Sequence, residues 1–372
     1  MLAIVVAWDL YRITKSAIAL GNVGLAQVLP VFLFTFVTGQ VADRYDRRRT
    51  VVITQTAAAI VGLVLTFSGE NRSVSLIYAC LFLIATARAF QWPVTSSMLP
   101  QTVPMEDLTN AISWNGSARE FATMAGPAIG GIVIGIWGSE PVYFGQAVCS
   151  MISAYSFSRV QVPAHPPENR ALPGWRGTLE GLQFVWNEKV VLYAMSLDLF
   201  AVLFGGARAV LPIYASDILN GGPQALGWLE AAPAVGAGLM SLALAHFGTI
   251  SAAGRVMLWS VAGFGVATIV FAVSSNLILA LAALFLVGAF DAISVVLRLS
   301  MVQLRTPTYL RGRVSAVNAL FISSSNQWGA VESGIAASML GTVPSVIFGG
   351  VMTLVVVGAI AAASKELRRW RN

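Results

Sequence analysis

The sequence predicts an all-α integral membrane protein built as two six-helix bundles, and three observations predict it. Hydrophobic residues make up 56% of the chain and charged ones only 11%, with a mean hydropathy of +0.74, too apolar for a soluble domain. Its 372 residues alternate apolar runs with short hydrophilic segments, leaving room for about a dozen spans of roughly 20 residues. The basic residues gather in those short segments, so the net charge of +6 reflects topology rather than a nucleic-acid partner.

The apolar runs place spans at 1–13, 18–38, 50–68, 74–99, 109–137, 141–158, 190–216, 224–247, 255–274, 276–303, 314–340 and 343–364. The first, Met1 to Ile13, rises only about 20 Å as a helix against a hydrocarbon core of roughly 30 Å. It has neither a basic n-region nor a small-residue cleavage site, so the expectation is a first helix truncated at its N-terminus, not a signal peptide. Spans two and three are joined by Gly39 to Arg49, a loop whose Arg44, Arg47, Arg48 and Arg49 cannot lie in hydrocarbon. The fourth span carries Arg88, and the fifth carries Arg119 and Glu120. Further along the fifth, Gly126-Pro127-Ala128-Ile129-Gly130-Gly131 removes a backbone donor and offers flat surfaces for close helix approach, though glycine and proline are common in membrane helices anyway. Cys80 and Cys149 each sit in an apolar run and read as packing residues.

The sixth span closes an N-terminal bundle, 1–158. The segment 159–189 contains Pro163, Pro166, Pro167 and Pro173 and reads as an interdomain linker. Its second part sets Leu179, Leu182, Phe184, Val185 and Trp186 among polar residues, which suits a short helix on the membrane surface. The remaining spans and a basic tail form the C-terminal bundle, 190–372, with Asp198 and Arg208 in the seventh span, Glu230 in the eighth, Asp291 and Arg298 in the tenth and Glu332 in the eleventh. Taking the Arg44 loop as cytoplasmic puts 16 of the 23 lysines and arginines on that side, 3 on the other (Arg12, Lys15 and Arg72) and 4 inside spans. That bias predicts a multi-pass protein of the inner (plasma) membrane with a cytoplasmic C-terminus.

Charges inside spans cost several kcal/mol unless paired or facing water, so their positions carry mechanistic information. Asp291 and Arg298 are seven residues apart and share a helix face. A carboxylate whose cationic partner comes and goes can load and release a proton; the alternative is a static ion pair between helices. Asp198 has the same standing. Glu230 and Glu332 are positioned to pair with Arg208 or to be solvated near helix ends, and Asp9 and Arg12 carry less weight at the end of the shortened first span.

Gly39, the run Ala42-Asp43-Arg44 and the following Asp46-Arg47-Arg48-Arg49 resemble the signature loop between the second and third helices of the major facilitator superfamily of secondary transporters. The Gly126–Gly131 segment resembles the end of the fifth-helix motif of its drug and metabolite antiporters. Asp198-Leu199-Phe200-Ala201, Leu211-Pro212-Ile213-Tyr214-Ala215 and Arg311-Gly312-Arg313-Val314-Ser315-Ala316-Val317-Asn318 are similar to its enterobactin-exporter-like branch, the transmembrane secretion effector type. Asp46 stands where the wider superfamily has glycine, and Val41 where leucine is usual. The resemblance implies the major facilitator fold, with helices one, four, seven and ten around a central cavity. With Glu120 of the fifth span and Glu332 of the eleventh added to the charges of those helices, the implied proton-coupling or cavity residues are Asp198, Asp291, Arg298, Arg88, Glu120, Arg208 and Glu332. It also implies a gate in which Gly39, Asp43, Arg44 and Arg47 meet Gly312 and Arg313, although Arg48 and Arg49 serve equally well as topology signals.

No phosphate-binding glycine loop is present, neither His165 nor His246 has metal-ligand spacing, and no motif gathers a nucleophile with a base. The expectation is therefore no enzyme, no cofactor and no metal. What the resemblance implies is a monomeric, proton-coupled exporter of a small organic molecule, siderophore-like or drug-like, with the lipid bilayer as its other partner. The alternatives are an importer or uniporter of the same fold, a membrane sensor, or a truncated remnant.

Overall fold

The structure, a computed structural model, describes residues 1–69, 72–104, 106–160, 175–247 and 252–370, apart from some side chains inside helices, those of 39–44 among them. The linker prolines and His165 lie outside the described residues. The described backbone consists of helices joined by short turns, with no strand among the described residues, and it gathers into two compact units.

The first unit holds α1 (Leu2–Thr14), α2 (Ala17–Arg44), α3 (Arg47–Phe67), α4 (Val74–Thr102), α5 (Leu108–Trp137) and α6 (Glu140–Arg159). Local chemistry sets the helix ends. The α1 chain turns at Lys15, whose φ of 49° is left-handed and whose N–H donates to the Tyr11 carbonyl. Asp46 caps α3 by accepting from the Arg49 N–H at 3.2 Å, which gives the aspartate at this loop position a structural task. Ser73 caps α4 in the same way, through the Leu76 N–H at 3.2 Å. Helix α3 lies along α4 and α6, and α2 lies along α4.

The second unit holds α7 (Trp175–Asn187), α8 (Lys189–Gly205), α9 (Leu211–Ile213), most of α10 (Gly222–Phe247), α11 (Ala253–Val273), α12 (Leu277–Arg305), α13 (Arg311–Leu340), α14 (Thr342–Ala363) and α15 (Lys365–Arg369). Its core joins α8, α11, α12 and α14 through Leu197, Ala201, Met257, Val261, Leu297, Met301 and Ile360. The start of α10, Gly222–Gly227, belongs to the first unit.

Among the described residues, nine helical stretches are long and apolar enough to cross a bilayer. They account for nine of the expected spans. Helix α1 has only 13 residues, while α6 and α13 occupy the places expected for the sixth and eleventh spans with a more polar composition.

The seventh span keeps its expected place, Lys189–Ile218, but it is not one regular helix. After Gly205-Gly206 the chain passes through a 3-10 turn at Ala207–Val210, one α-turn with Pro212, and a π-helical turn at Tyr214–Ile218. Two glycines and a proline that lacks an N–H cannot keep the i to i−4 ladder regular. Helix α7 stands where the linker's short helix is expected, and one side of it is docked on the unit: Val185 is buried in a cluster with Val191, Met195, Val302, Leu310, Val314 and Val317. Leu179, Leu182 and Trp186 remain exposed.

Candidate functional site

Where α8, α12 and α13 meet, one guanidinium organises a buried polar cluster. Arg298 of α12 is 2% exposed, and its Nη2 lies 3.2 Å from Asp198 Oδ1 on α8. Its Nη1 donates to Asn318 Oδ1 on α13 at 2.7 Å, while its buried Nε has no hydrogen-bond partner among the described residues. Asp291 stands two turns before Arg298, about 10 Å along α12. Its carboxyl makes no hydrogen bond among the described residues. It lines, with Asp198 and Ser294, a cavity that holds no more than a water molecule, otherwise walled by Ala201, Val202, Val261, Phe264 and Phe290. Thus Asp291 and Arg298 do share a face, as the seven-residue spacing predicts, but Arg298 grips the carboxylate of another helix.

The second unit holds the other expected cavity residues in different places. Arg208, on the 3-10 turn, is exposed and its Nε donates to Glu230 Oε2 of α10 at 2.8 Å. Glu332 is not part of that pair; among the described residues its carboxylate is met by the Ser333 hydroxyl at 3.5 Å. In the first unit, Arg88 is exposed on α4, Glu120 is exposed on α5, and Arg119 lies over the Trp92 ring, 4.8 Å from its centroid.

Of the gating residues, the side chains of Gly39, Asp43 and Arg44 lie outside the described ones. Arg47 opens α3 half-buried, and Gly312 faces open space near the start of α13. Arg313 forms an ion pair with Glu180 of α7, and its backbone lies against Gly181.

The glycine-proline segment of α5 makes close contacts inside the first unit. A Cβ on Gly126 would stand 3.3 Å from the Met1 nitrogen, and one on Gly130 would stand 3.0 Å from Ile4 Cγ2. One on Gly131 would meet the Pro223 carbonyl oxygen at 2.6 Å, and one on Gly227 would meet the Pro127 carbonyl oxygen at 2.8 Å. Backbone thus touches backbone where α5 meets the first turns of α10. Gly131→Val is expected to destabilise the protein by about 1–3 kcal/mol, because backbone cannot give way as a side chain can. Thermal unfolding of purified protein checks this against Gly145→Val, whose added atoms would enter open space; equal midpoints for the two variants would remove the packing role.

Sequence reasoning undervalued one constellation. Asp9 of α1 is fully buried and pairs with Arg72, which also pairs with Glu140 at the start of α6. Ser139 Oγ donates to Asp9 Oδ1 at 2.5 Å, Tyr143 Oη donates to Asp9 Oδ2 at 3.1 Å, and Arg72 Nε donates to the Leu65 carbonyl at 3.0 Å. The signal was present in the loops: the span order brings the end of the first helix, with Asp9, the third-to-fourth loop, with Arg72, and the fifth-to-sixth turn, with Ser139 and Glu140, to one side.

A family model described as transmembrane secretion effector matches residues 1–372. The chain belongs to that family. As a secretion effector it is a multi-pass membrane transporter of the major facilitator superfamily, and the family is not one of enzymes. It is 24% identical over 240 residues to macrolide efflux protein A of Streptococcus pyogenes, a match that covers 63% of this chain and 59% of that protein, less than two thirds of its length. It is 24% identical over 356 residues to the enterobactin exporter EntS of Escherichia coli, covering 94% of this chain and 85% of that one. The fold of this secretion effector resembles the crystal structure of a variant of the nucleoside transporter NupG with a TM-score of 0.77 at 14% identity, over 97% of this chain and 95% of the other. At that identity the likeness concerns the fold alone.

Proposed function

We propose that this secretion effector is a secondary active exporter that exchanges protons for a small organic molecule, siderophore-like or drug-like, by alternating access. The observation that carries proton coupling is the cluster of Asp198, Asp291 and Arg298: two carboxylates line one small cavity inside helices of spanning length, and the guanidinium holds only the first of them. With both carboxylates ionised the trio carries one net negative charge, and binding one proton neutralises it. Arg298 holds Asp198, so Asp291 is the group left to take that proton. A conformation that moves Arg298 toward Asp291 expels the proton, so proton release follows the conformational equilibrium. Export rather than import is supported by the relatives, which are named an efflux protein and an exporter.

In this reading 1–158 and 190–372 are the two moving bundles, joined by 159–189. Arg88, Glu120, Arg208 and Glu332 line the cargo path. Gly39, Asp43, Arg44 and Arg47 with Gly312 and Arg313 form the gate on the cytoplasmic side. The strong bias of lysine and arginine toward one set of loops supports a plasma-membrane location with the C-terminus inside. A monomer suffices for this cycle.

Proton release from energised inverted vesicles tests the reading when macrolides, siderophores and amphipathic cations are added in turn. Cargo-dependent release is expected from the parent chain and is expected to vanish in Asp291→Asn. Release that persists in the variant would return Asp291 to a structural role, and no release with any cargo would remove the antiport reading.

A further inference from the structure

Glu332 sits in surroundings that suit a ligand of a particular charge. It lines an open cavity of about 500 Å³ along α13, with Leu203 of α8 at its edge and Trp328, Val331, Ile335 and Met339 on its walls, within the volume range of small-molecule sites. Glu332 is the single titratable group among the lining residues. No lysine or arginine pairs with it among the described residues, and the only hydrogen bond to its carboxylate is the long one from Ser333 at 3.5 Å. The Ser333 hydroxyl is itself engaged at 2.9 Å with the Gly206 carbonyl, at the break that ends α8. A carboxylate thus stands in an otherwise apolar cavity without a counter-charge, beside an interrupted helix whose backbone one of its neighbours braces. Interrupted helices in transporters are where ligand and ion sites are built.

We infer that this cavity binds an amphipathic organic cation, with the apolar body against Leu203, Val331 and Ile335, an aromatic contact to Trp328, and the cationic centre at Glu332. The inference rests on the transporter reading and narrows its cargo. Charge complementarity decides the occupant. A cation supplies the missing counter-charge while its body replaces water or lipid on the walls, and an anion of equal size would meet an unpaired carboxylate at close range. A lipid chain would fill the volume without answering the charge. Trp328 adds a ring face suited to a cationic or aromatic group.

The test is equilibrium binding of tetraphenylphosphonium and tetraphenylborate, nearly equal in size and shape and opposite in charge, to the purified full chain in detergent micelles without a proton gradient. Saturable binding of the cation is expected, with the borate at least about tenfold weaker. Glu332→Gln is expected to lower cation affinity by about tenfold, about 1.4 kcal/mol, without weakening the borate. Glu332→Asp, which keeps the charge, should retain most of the cation affinity, and Ala336→Trp, which fills the cavity, should remove binding of both ions. Equal affinities for the two ions, a cation affinity indifferent to Glu332→Gln, or binding that survives Ala336→Trp would each overturn the site. So would competition by phospholipid that displaces both ions alike. Because no gradient is applied, intact binding with no cargo-driven proton release would sink the antiport reading alone, whereas proton release by other cargo with no cation binding would sink this site alone.

Discussion

Arg72→Met is expected to cost the folded protein about 3–5 kcal/mol, the penalty for leaving a buried charge without its partner. Asp9 has no exposed surface, and Arg72 is the counter-charge within reach; the Ser139 and Tyr143 hydroxyls donate hydrogen bonds to Asp9 but bring no positive charge. Glu140 is partly solvated, with 39% of its side chain exposed, and loses less. Arg72→Met should therefore fail to accumulate as a monodisperse protein, or should show a large fall in unfolding temperature. Adding Asp9→Asn should recover part of that loss, because the surviving amide can still accept from Ser139 and Tyr143. Size-exclusion profiles and thermal unfolding of the parent, the single variant and the double variant decide it. A single variant as stable as the parent would mean that water, not Arg72, compensates Asp9.

The second large effect concerns Arg298. Its planar fork serves two partners on two helices, Asp198 on α8 and Asn318 on α13. Arg298→Lys keeps the charge but offers one compact ammonium in place of the fork, so it is expected to lose most transport while keeping much of the stability. Arg298→Met strands Asp198 and should destabilise by about 3–5 kcal/mol. The double variant Asp198→Asn with Arg298→Met should regain stability without regaining cargo-dependent proton release. Transport restored in that double variant would show that the pair only holds α8 against α12.

The letters made most of the spans legible because hydrocarbon imposes a length and an apolarity that few soluble helices combine. The same logic read through Gly205-Gly206 and Pro212, since hydropathy stays high across a break that only backbone chemistry detects. Helix periodicity placed Asp291 and Arg298 on one face, and the structure keeps them there. Which carboxylate Arg298 would hold was not legible, because that depends on how α8 packs beside α12. The Asp9 cluster escaped for the same reason in a stronger form: its partners stand 63, 130 and 134 residues away, and no local pattern links them. Helix α7 showed its amphipathic face in the sequence, but nothing local said that Val185 would find protein rather than lipid.

Those separations bear on how the chain is made. Ser139 emerges 130 residues after Asp9, an interval of roughly 7–26 s at ordinary rates of protein synthesis. Arg72 comes 63 residues after Asp9, about half that time. Until then α1 carries a carboxylate that the bilayer interior rejects and that the growing chain cannot yet answer. The counter-charge of Asp9 thus arrives with the turn before α4, and the two hydroxyls that complete its surroundings arrive only with the turn into α6.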